Sequence, residues 1–277
     1  MVKKLMNALV AIIFIAGVGL LVYPSFSDWW NKQHRSEAIA SYEKKVASLT
    51  EKQYQQLWNG AIHYNQTHPT NSFVLSKDEE ALYKKTLDVT GTGIMGYVEI
   101  PKINVSLPIY HGDDQAILQI AIGHIPGTSL PVGGKGTHSV LSGHRGLPSA
   151  RLFTDIDQLK KGDIFMLQVM DNTLTYKVDQ ISVVLPSDMS KMQIDPNQDY
   201  CTLMTCTPYG VNTHRLLVRG HRIENLAEEL VITAEAIAYD SLLVATIVAI
   251  PVLLILTIAV LVKTSYRKVG RSDGKKA

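Results

Sequence analysis

Cysteine is scarce in this chain. Two among 277 residues can form one bridge at most, which excludes a disulfide-stapled scaffold. An excess of one charge sign is also missing. The chain has 27 Lys and Arg against 25 Asp and Glu, and a net charge of +2 carries no electrostatic footprint of a nucleic-acid binder. There is no phosphate-binding glycine loop, no dinucleotide fingerprint, no internal repeat and no low-complexity tract. His138 and His144 are six residues apart, and no second cluster of Cys, Asp or Glu completes a familiar ligand spacing. Neither a metal nor a cofactor is expected. A composition of 46 % hydrophobic and 19 % charged residues excludes a disordered or collagen-like chain.

Charge is absent from two long runs. Leu5 to Tyr23 is 19 residues in which only Asn7 is strongly polar, and Leu242 to Val262 is 21 residues without a charge. Each is long enough to cross a hydrocarbon core about 30 Å thick as a helix. The first run ends in Tyr23-Pro24 and leads to Trp29-Trp30, an interfacial anchor rather than a signal-cleavage site. Pro251 would kink the second span without preventing insertion. Lys3 and Lys4 precede the first span, and six Lys and Arg follow the second. The positive-inside rule then predicts a multi-pass protein of the cell membrane with both termini cytoplasmic and residues 24–241 outside. That external segment holds 19 Lys and Arg against 24 Asp and Glu, a net charge of −5. The basic tail should touch anionic headgroups, so lipid is an expected partner and nucleic acid is not.

Residues 28–62 carry Ile39, Tyr42, Val46, Leu49, Leu57, Trp58 and Ile62 at three- and four-residue intervals, which predicts one helix or two. Pro69, Asn71 and Ser72 mark a loop over 63–76, and Asp78–Leu87 reads as a short helix. From Gly96 the period changes to β. Strands are predicted at Gly96–Ile100, Val105–Ile109, Ser139–Ser142, Ile164–Val169, Leu174–Val184, Tyr200–Thr205 and Arg215–Ile223. Short helices are predicted near Asp114–Ile122 and Ser149–Leu159. Many short strands with few helices predict a mainly β barrel or sandwich.

Cys206 ends the apolar strand Tyr200–Thr205 just before Thr207-Pro208-Tyr209-Gly210, an exposed yet rigidly held position. A bridge to Cys201 is excluded. Five residues of strand span about 16 Å, bridged Cα atoms must lie within roughly 7 Å, and an odd separation puts the side chains on opposite faces. Cys201 is therefore expected in the core and Cys206 as a free external thiol. A thiol nucleophile needs a proton partner. His144 follows the strand Ser139–Ser142 between Gly143 and Gly146, glycines that would let a substrate backbone approach. His34, His63 and His68 read as solvated, while His111, His124, His138, His214 and His221 stay open on spacing alone. Acyl transfer also needs a donor for the oxyanion. Arg215, nine residues after Cys206, supplies fixed cationic donors, with Arg219 as its nearest rival.

These residues resemble the sortase family. Thr202-Leu203-Met204-Thr205-Cys206 matches its TLxTC signature, Ser142-Gly143-His144-Arg145 is similar to its histidine motif, and Arg215 stands at its spacing after the cysteine. The resemblance covers residues 90–224 and is closest to class C, the pilus-assembling group, which shares the two-span topology. It implies a closed eight-stranded β-barrel transpeptidase that cuts an LPxTG-like signal through an acyl-enzyme on Cys206. His144 would act as acid and base, Arg215 would hold substrate or oxyanion, and Thr205 would help orient the site and bind substrate. Pilin subunits bearing sorting signals and acceptor lysines are the implied partners. The open alternatives are a sortase that attaches proteins to the cell wall and an inactive barrel used as an adhesin. An L,D-transpeptidase would place its arginine about two residues after the cysteine, and a papain-like protease would put cysteine before histidine. Neither order fits.

The chain is thus expected to comprise an anchor over 1–23, a helical region over 24–90, a barrel over 91–228, a linker over 229–241, a second span over 242–262 and a tail over 263–277. Class C members usually carry a lid before the barrel with an Asp-Pro-aromatic motif. Here the segment reads Asn71-Ser72-Phe73, and Asn71 lacks the charge to pair with Arg215. A degenerate lid predicts that Phe73→Ala changes peptide cleavage only modestly. An activation of tenfold or more (about 1.4 kcal/mol) would show instead that the segment latches.

Overall fold

The computed structural model describes residues 2–69 and 71–225. The chain divides into compact units between Phe26 and Ser27. Helix α1 (Val2–Ala47) contains the first apolar run, and Pro24 lies within it. Among the described residues it is the one helix long and apolar enough to cross a membrane. The expected linker, second span and basic tail lie outside the described residues.

The larger unit is a closed barrel. Its strands are β1 (Ile94–Ile100), β2 (Val105–His111), β3 (Ile122–His124), β4 (Thr137–Ser142), β5 (Ile164–Val169), β6 (Asn172–Val184), β7 (Asp199–Thr207) and β8 (His214–Arg222). They hydrogen-bond in the order β1-β2-β3-β4-β7-β8-β6-β5, and β5 closes on β1. Pairs β2–β3 and β4–β7 are parallel, and the rest are antiparallel.

The eighth strand, β3, has three residues and falls partly inside the helix predicted over Asp114–Ile122. The helix there is only α4 (Gln115–Leu118). Ile122 pairs with Ile109 and His124 with Leu141, so ladder bonds on both sides set its conformation. Over Ser149–Leu159 the helix reduces to a single 3₁₀ turn at Ile156–Gln158. Before the barrel, the predicted helical region is broken once. Helix α2 (Glu51–Thr67) starts with a capping box in which Gln53 N donates to Thr50 and Thr50 N donates to Gln53. It runs five residues into the predicted loop. Helix α3 (Lys77–Lys85) starts the same way with Ser76 and Glu79.

Alternation along β7 sets two cores. Cys201, Leu203 and Thr205 face the barrel interior and are buried, among Phe165, Tyr176 and Val218. A smaller cluster of Val140, Val184, Met192 and Leu217 covers the outer face of β4, β6 and β8, with Phe73, Ile125 and Met204 packed on it. Both cysteines are free, and Cys201 is fully buried as expected.

The helices attach to the barrel through buried polar contacts. Tyr42 Oη donates to Met95 O (2.8 Å) and accepts from Met170 N (2.7 Å). Asn65 copies a backbone pair, donating to Leu130 O (3.1 Å) and accepting from Leu130 N (2.7 Å). Tyr83 Oη donates to His124 O (2.9 Å). Tyr42→Phe would leave Met95 O and Met170 N buried and unpaired, at about 1–3 kcal/mol. The unfolding midpoint, followed by circular dichroism, should fall by roughly 2–12 °C.

Candidate active site

The barrel topology brings three elements to one end. Strands β4 and β7 are parallel, so they finish at the same rim, and β8 starts there. Cys206 is the register partner of Arg215 across β7–β8. Directly opposed residues in an antiparallel pair share a face, with Cβ atoms about 4.5–5.5 Å apart. On the other side of β7, Ser142 is level with Met204. One step on, Gly143 N donates to Met204 O (3.0 Å), and Thr205 Oγ1 donates to Gly143 O (2.7 Å). His144 is the next residue, just past the end of β4. The sequence-predicted trio therefore stands at one rim, with Cys206 and Arg215 in one row across β7–β8 and His144 on the loop that leaves β4.

Each member has a distinct environment. Cys206 is partly exposed, unlike Cys201. His144 Nε2 is screened from solvent and has no hydrogen-bond partner among the described residues. Burial holds its pKa below the ordinary histidine value, because the charged ring is less well solvated there. Arg215 Nη1 donates to His214 O (3.2 Å) and reaches Asn212 O (3.5 Å), and no carboxylate among the described residues pairs with it. Arg219, the rival, is already engaged. It donates twice to Asp179 (3.0 and 2.8 Å), stacks on Tyr200 at 4.1 Å and lies level with Thr202.

The remaining histidines divide by partner. Both ring nitrogens of His111, His124 and His138 are bonded inside the fold. His34 bonds Trp30 O, and His68 stacks on Tyr64. His214 bonds Thr213 beside the row, while His221 sits toward the other end, near Asp179. Among the described residues, no group of three His, Cys, Asp or Glu is placed to hold a metal ion.

Residues 98–223 match the sortase domain. Sortase C1 of Streptococcus agalactiae is 49 % identical over 69 % of this chain and all of that one, with a TM-score of 0.67. The chain belongs to the sortase family. A sortase C of Clostridium perfringens, solved with the C-terminal cell wall sorting motif, is 40 % identical over 69 % of this chain and all of its own, with a TM-score of 0.59. Sortase D of Bacillus subtilis is 31 % identical over 131 residues, and the match spans 46 % of this chain and 63 % of that protein.

The glycines of the sortase histidine loop have a packing reason in the fold. A Cβ on Gly143 would stand 2.7 Å from Phe153 Cδ2 and 2.9 Å from Ile122 Cγ2. Gly146 has φ +76° and lies against the Tyr209 ring. Thr205 faces the barrel interior. It is 2 % exposed and its hydroxyl is committed to Gly143 O, so it braces the loop that carries His144.

Other residues of these motifs support the rim. Arg145 pairs with Asp157, donates to Thr207 Oγ1 (3.3 Å) and lies 5.8 Å from the Tyr209 ring, fastening the histidine loop to the end of β7. A groove of about 330 Å³ opens beside Arg215, with Phe73, Ile125, Val184, Met189 and Met204 among its walls. Phe73 stands there at φ +57°. Asn71 is buried and donates to His138 O (3.0 Å) and Met192 O (2.6 Å) rather than reaching Arg215.

Gly143→Ala should displace Phe153 and shift His144 relative to Cys206. The expected result is a loss of at least about tenfold in kcat/KM (about 1.4 kcal/mol) in a sorting-peptide cleavage assay. A variant with unchanged activity would show that Phe153 yields at no cost to the site.

Proposed function

We propose that this protein is a membrane-anchored cysteine transpeptidase that joins pilin subunits. The observation that carries the reading is that Cys206 lies opposite Arg215 at the rim where β4 ends and the loop carrying His144 begins. The neutral ring of His144 takes the thiol proton of Cys206, and the resulting thiolate attacks the carbonyl carbon of the threonine in an LPxTG-like signal. Arg215, free of a carboxylate partner, donates to the oxyanion or to the neighbouring substrate carbonyl. The Thr–Gly bond breaks, and the leaving amine takes a proton from His144. A thioester remains on Cys206. A lysine amine of the next subunit then loses a proton to His144, attacks the thioester carbonyl and expels the thiolate. The product is an isopeptide bond.

The substrate class is supported by the sorting motif bound to the Clostridium perfringens relative and by the apolar groove beside Arg215. The pilin acceptor rests on the class C resemblance. Anchoring rests on the apolar start of α1, with its Trp29-Trp30 pair, and on the uncharged run Leu242–Val262. Under the same reading, residues 71–73 form a lid remnant whose Phe73 lines the groove without an ion pair to Arg215.

Incubation with pilin, followed by mass spectrometry of the products, tests the acceptor. An isopeptide-linked dimer is expected with the parental chain and none with Cys206→Ala. A product carrying a peptidoglycan-stem amine instead would assign cell-wall attachment, and processing by Cys206→Ala would remove the nucleophile assignment. The lowered pKa of His144 also sets a pH profile. The neutral ring persists below its usual range, so the acid limb of kcat/KM for peptide cleavage should fall below about pH 6.5.

A further inference from the structure

One wall of the groove is the loop that joins β6 to β7, which contributes Leu185, Met189 and Met192. This loop is fastened at one buried point. His138 Nδ1 lies 2.9 Å from Gln193 O, and His138 Nε2 lies 2.7 Å from Thr202 Oγ1. A carbonyl only accepts, so Nδ1 carries the proton and Nε2 accepts from the threonine hydroxyl. The ring is fully buried, and burial pushes its pKa down to about 4, so this neutral tautomer persists at ordinary pH. At the same point, the Asn71 amide divides its two protons between His138 O and Met192 O. Ser72 N adds a bond to Gly127 O (3.2 Å), and Phe73 follows into the groove. The loop wall and the segment that brings Phe73 to the opposite wall thus meet at a single residue of β4. That strand also leads directly into His144.

We propose that His138 is a positioning residue for the substrate groove. Its side chain pins the loop wall, and its carbonyl, together with that of Met192, pins the segment carrying Phe73, so the two walls are released together. The role rests on the transpeptidase reading only where turnover is measured.

Hydrogen exchange on the full chain in detergent tests the junction without activity. His138→Leu should raise exchange in residues 185–193 and 71–75 together, with β5 unchanged as a fold control. Asn71→Ala, a milder change, should loosen the same two segments. With a sorting peptide, His138→Leu should raise KM about tenfold and change kcat by less than about twofold. His138→Asn keeps a donor where Nδ1 stood and should recover most of that KM. The proposal is overturned if 185–193 stays protected in His138→Leu, if Asn71→Ala loosens 71–75 alone, or if His138→Asn is no better than His138→Leu. If the parental chain turns over no peptide, the transpeptidase reading fails, and exchange still decides the junction.

Discussion

Everything at the rim depends on β4 and β7 running in the same direction. A parallel pair cannot be joined by a tight turn, so the chain must leave the end of β4, build β5 and β6 and return before β7 begins. Both strands then finish at one end of the barrel. The first residues past β4 and the last residues of β7 become neighbours although about 60 positions separate them. β8 turns back at the same rim and adds Arg215 opposite Cys206. Strand register alone sets Cys206 opposite Arg215. A pair held by ladder bonds is stiffer than one built on loops, and catalytic geometry tolerates little looseness.

The loop after β4 is the weak member of this rim, and the surrounding side chains compensate for it. Thr205 holds Gly143 from inside the barrel, and Arg145 reaches Thr207 and Asp157 from outside. Phe153 fills the space a Gly143 side chain would need, and its own N–H donates to His144 O (3.2 Å). His144 is therefore positioned through its backbone, which leaves Nε2 without a partner in a water-poor site. Desolvation then favours the neutral ring, and a neutral ring beside a thiol can move a proton either way at modest cost.

Much of this was legible in the sequence, for identifiable reasons. The period-two pattern located seven strands, and the odd separation of Cys201 and Cys206 correctly put one inside and one outside. Strand β3 was not legible. With three residues it has no measurable period, and its ladder partners on β2 and β4 are distant in sequence. The break between α1 and α2 was legible in principle, since Thr50 and Gln53 form a capping box, as do Ser76 and Glu79 ahead of α3. The glycines beside His144 stand out in the sequence, but their packing against Phe153 and Tyr209 does not. Glycine reads the same in sequence whether a substrate or Phe153 takes the space, and only the neighbour's position separates the two. Arg215 and Arg219 are equally plausible by spacing. Asp179, forty positions before Arg219, is what commits Arg219 to structure.

Asn71 shows how a departure from a family pattern is read by its surroundings. The class C pattern has an acid at this point, and losing the charge suggested a latch that had come undone. In this fold, the atoms facing the side chain are two carbonyl oxygens, His138 O and Met192 O. Both are acceptors. A carboxylate there would bring no donor, would be buried, and would lie against partial negative charge on both sides. An amide supplies two donors and no net charge, so it satisfies both carbonyls at a far smaller desolvation cost. The Asn71 amide thus suits the two carbonyls, although its own Oδ1 has no partner among the described residues, and no acid among them pairs with Arg215. The segment carrying Phe73 is then held to the wall of the groove and not to Arg215, so its attachment does not draw on the guanidinium.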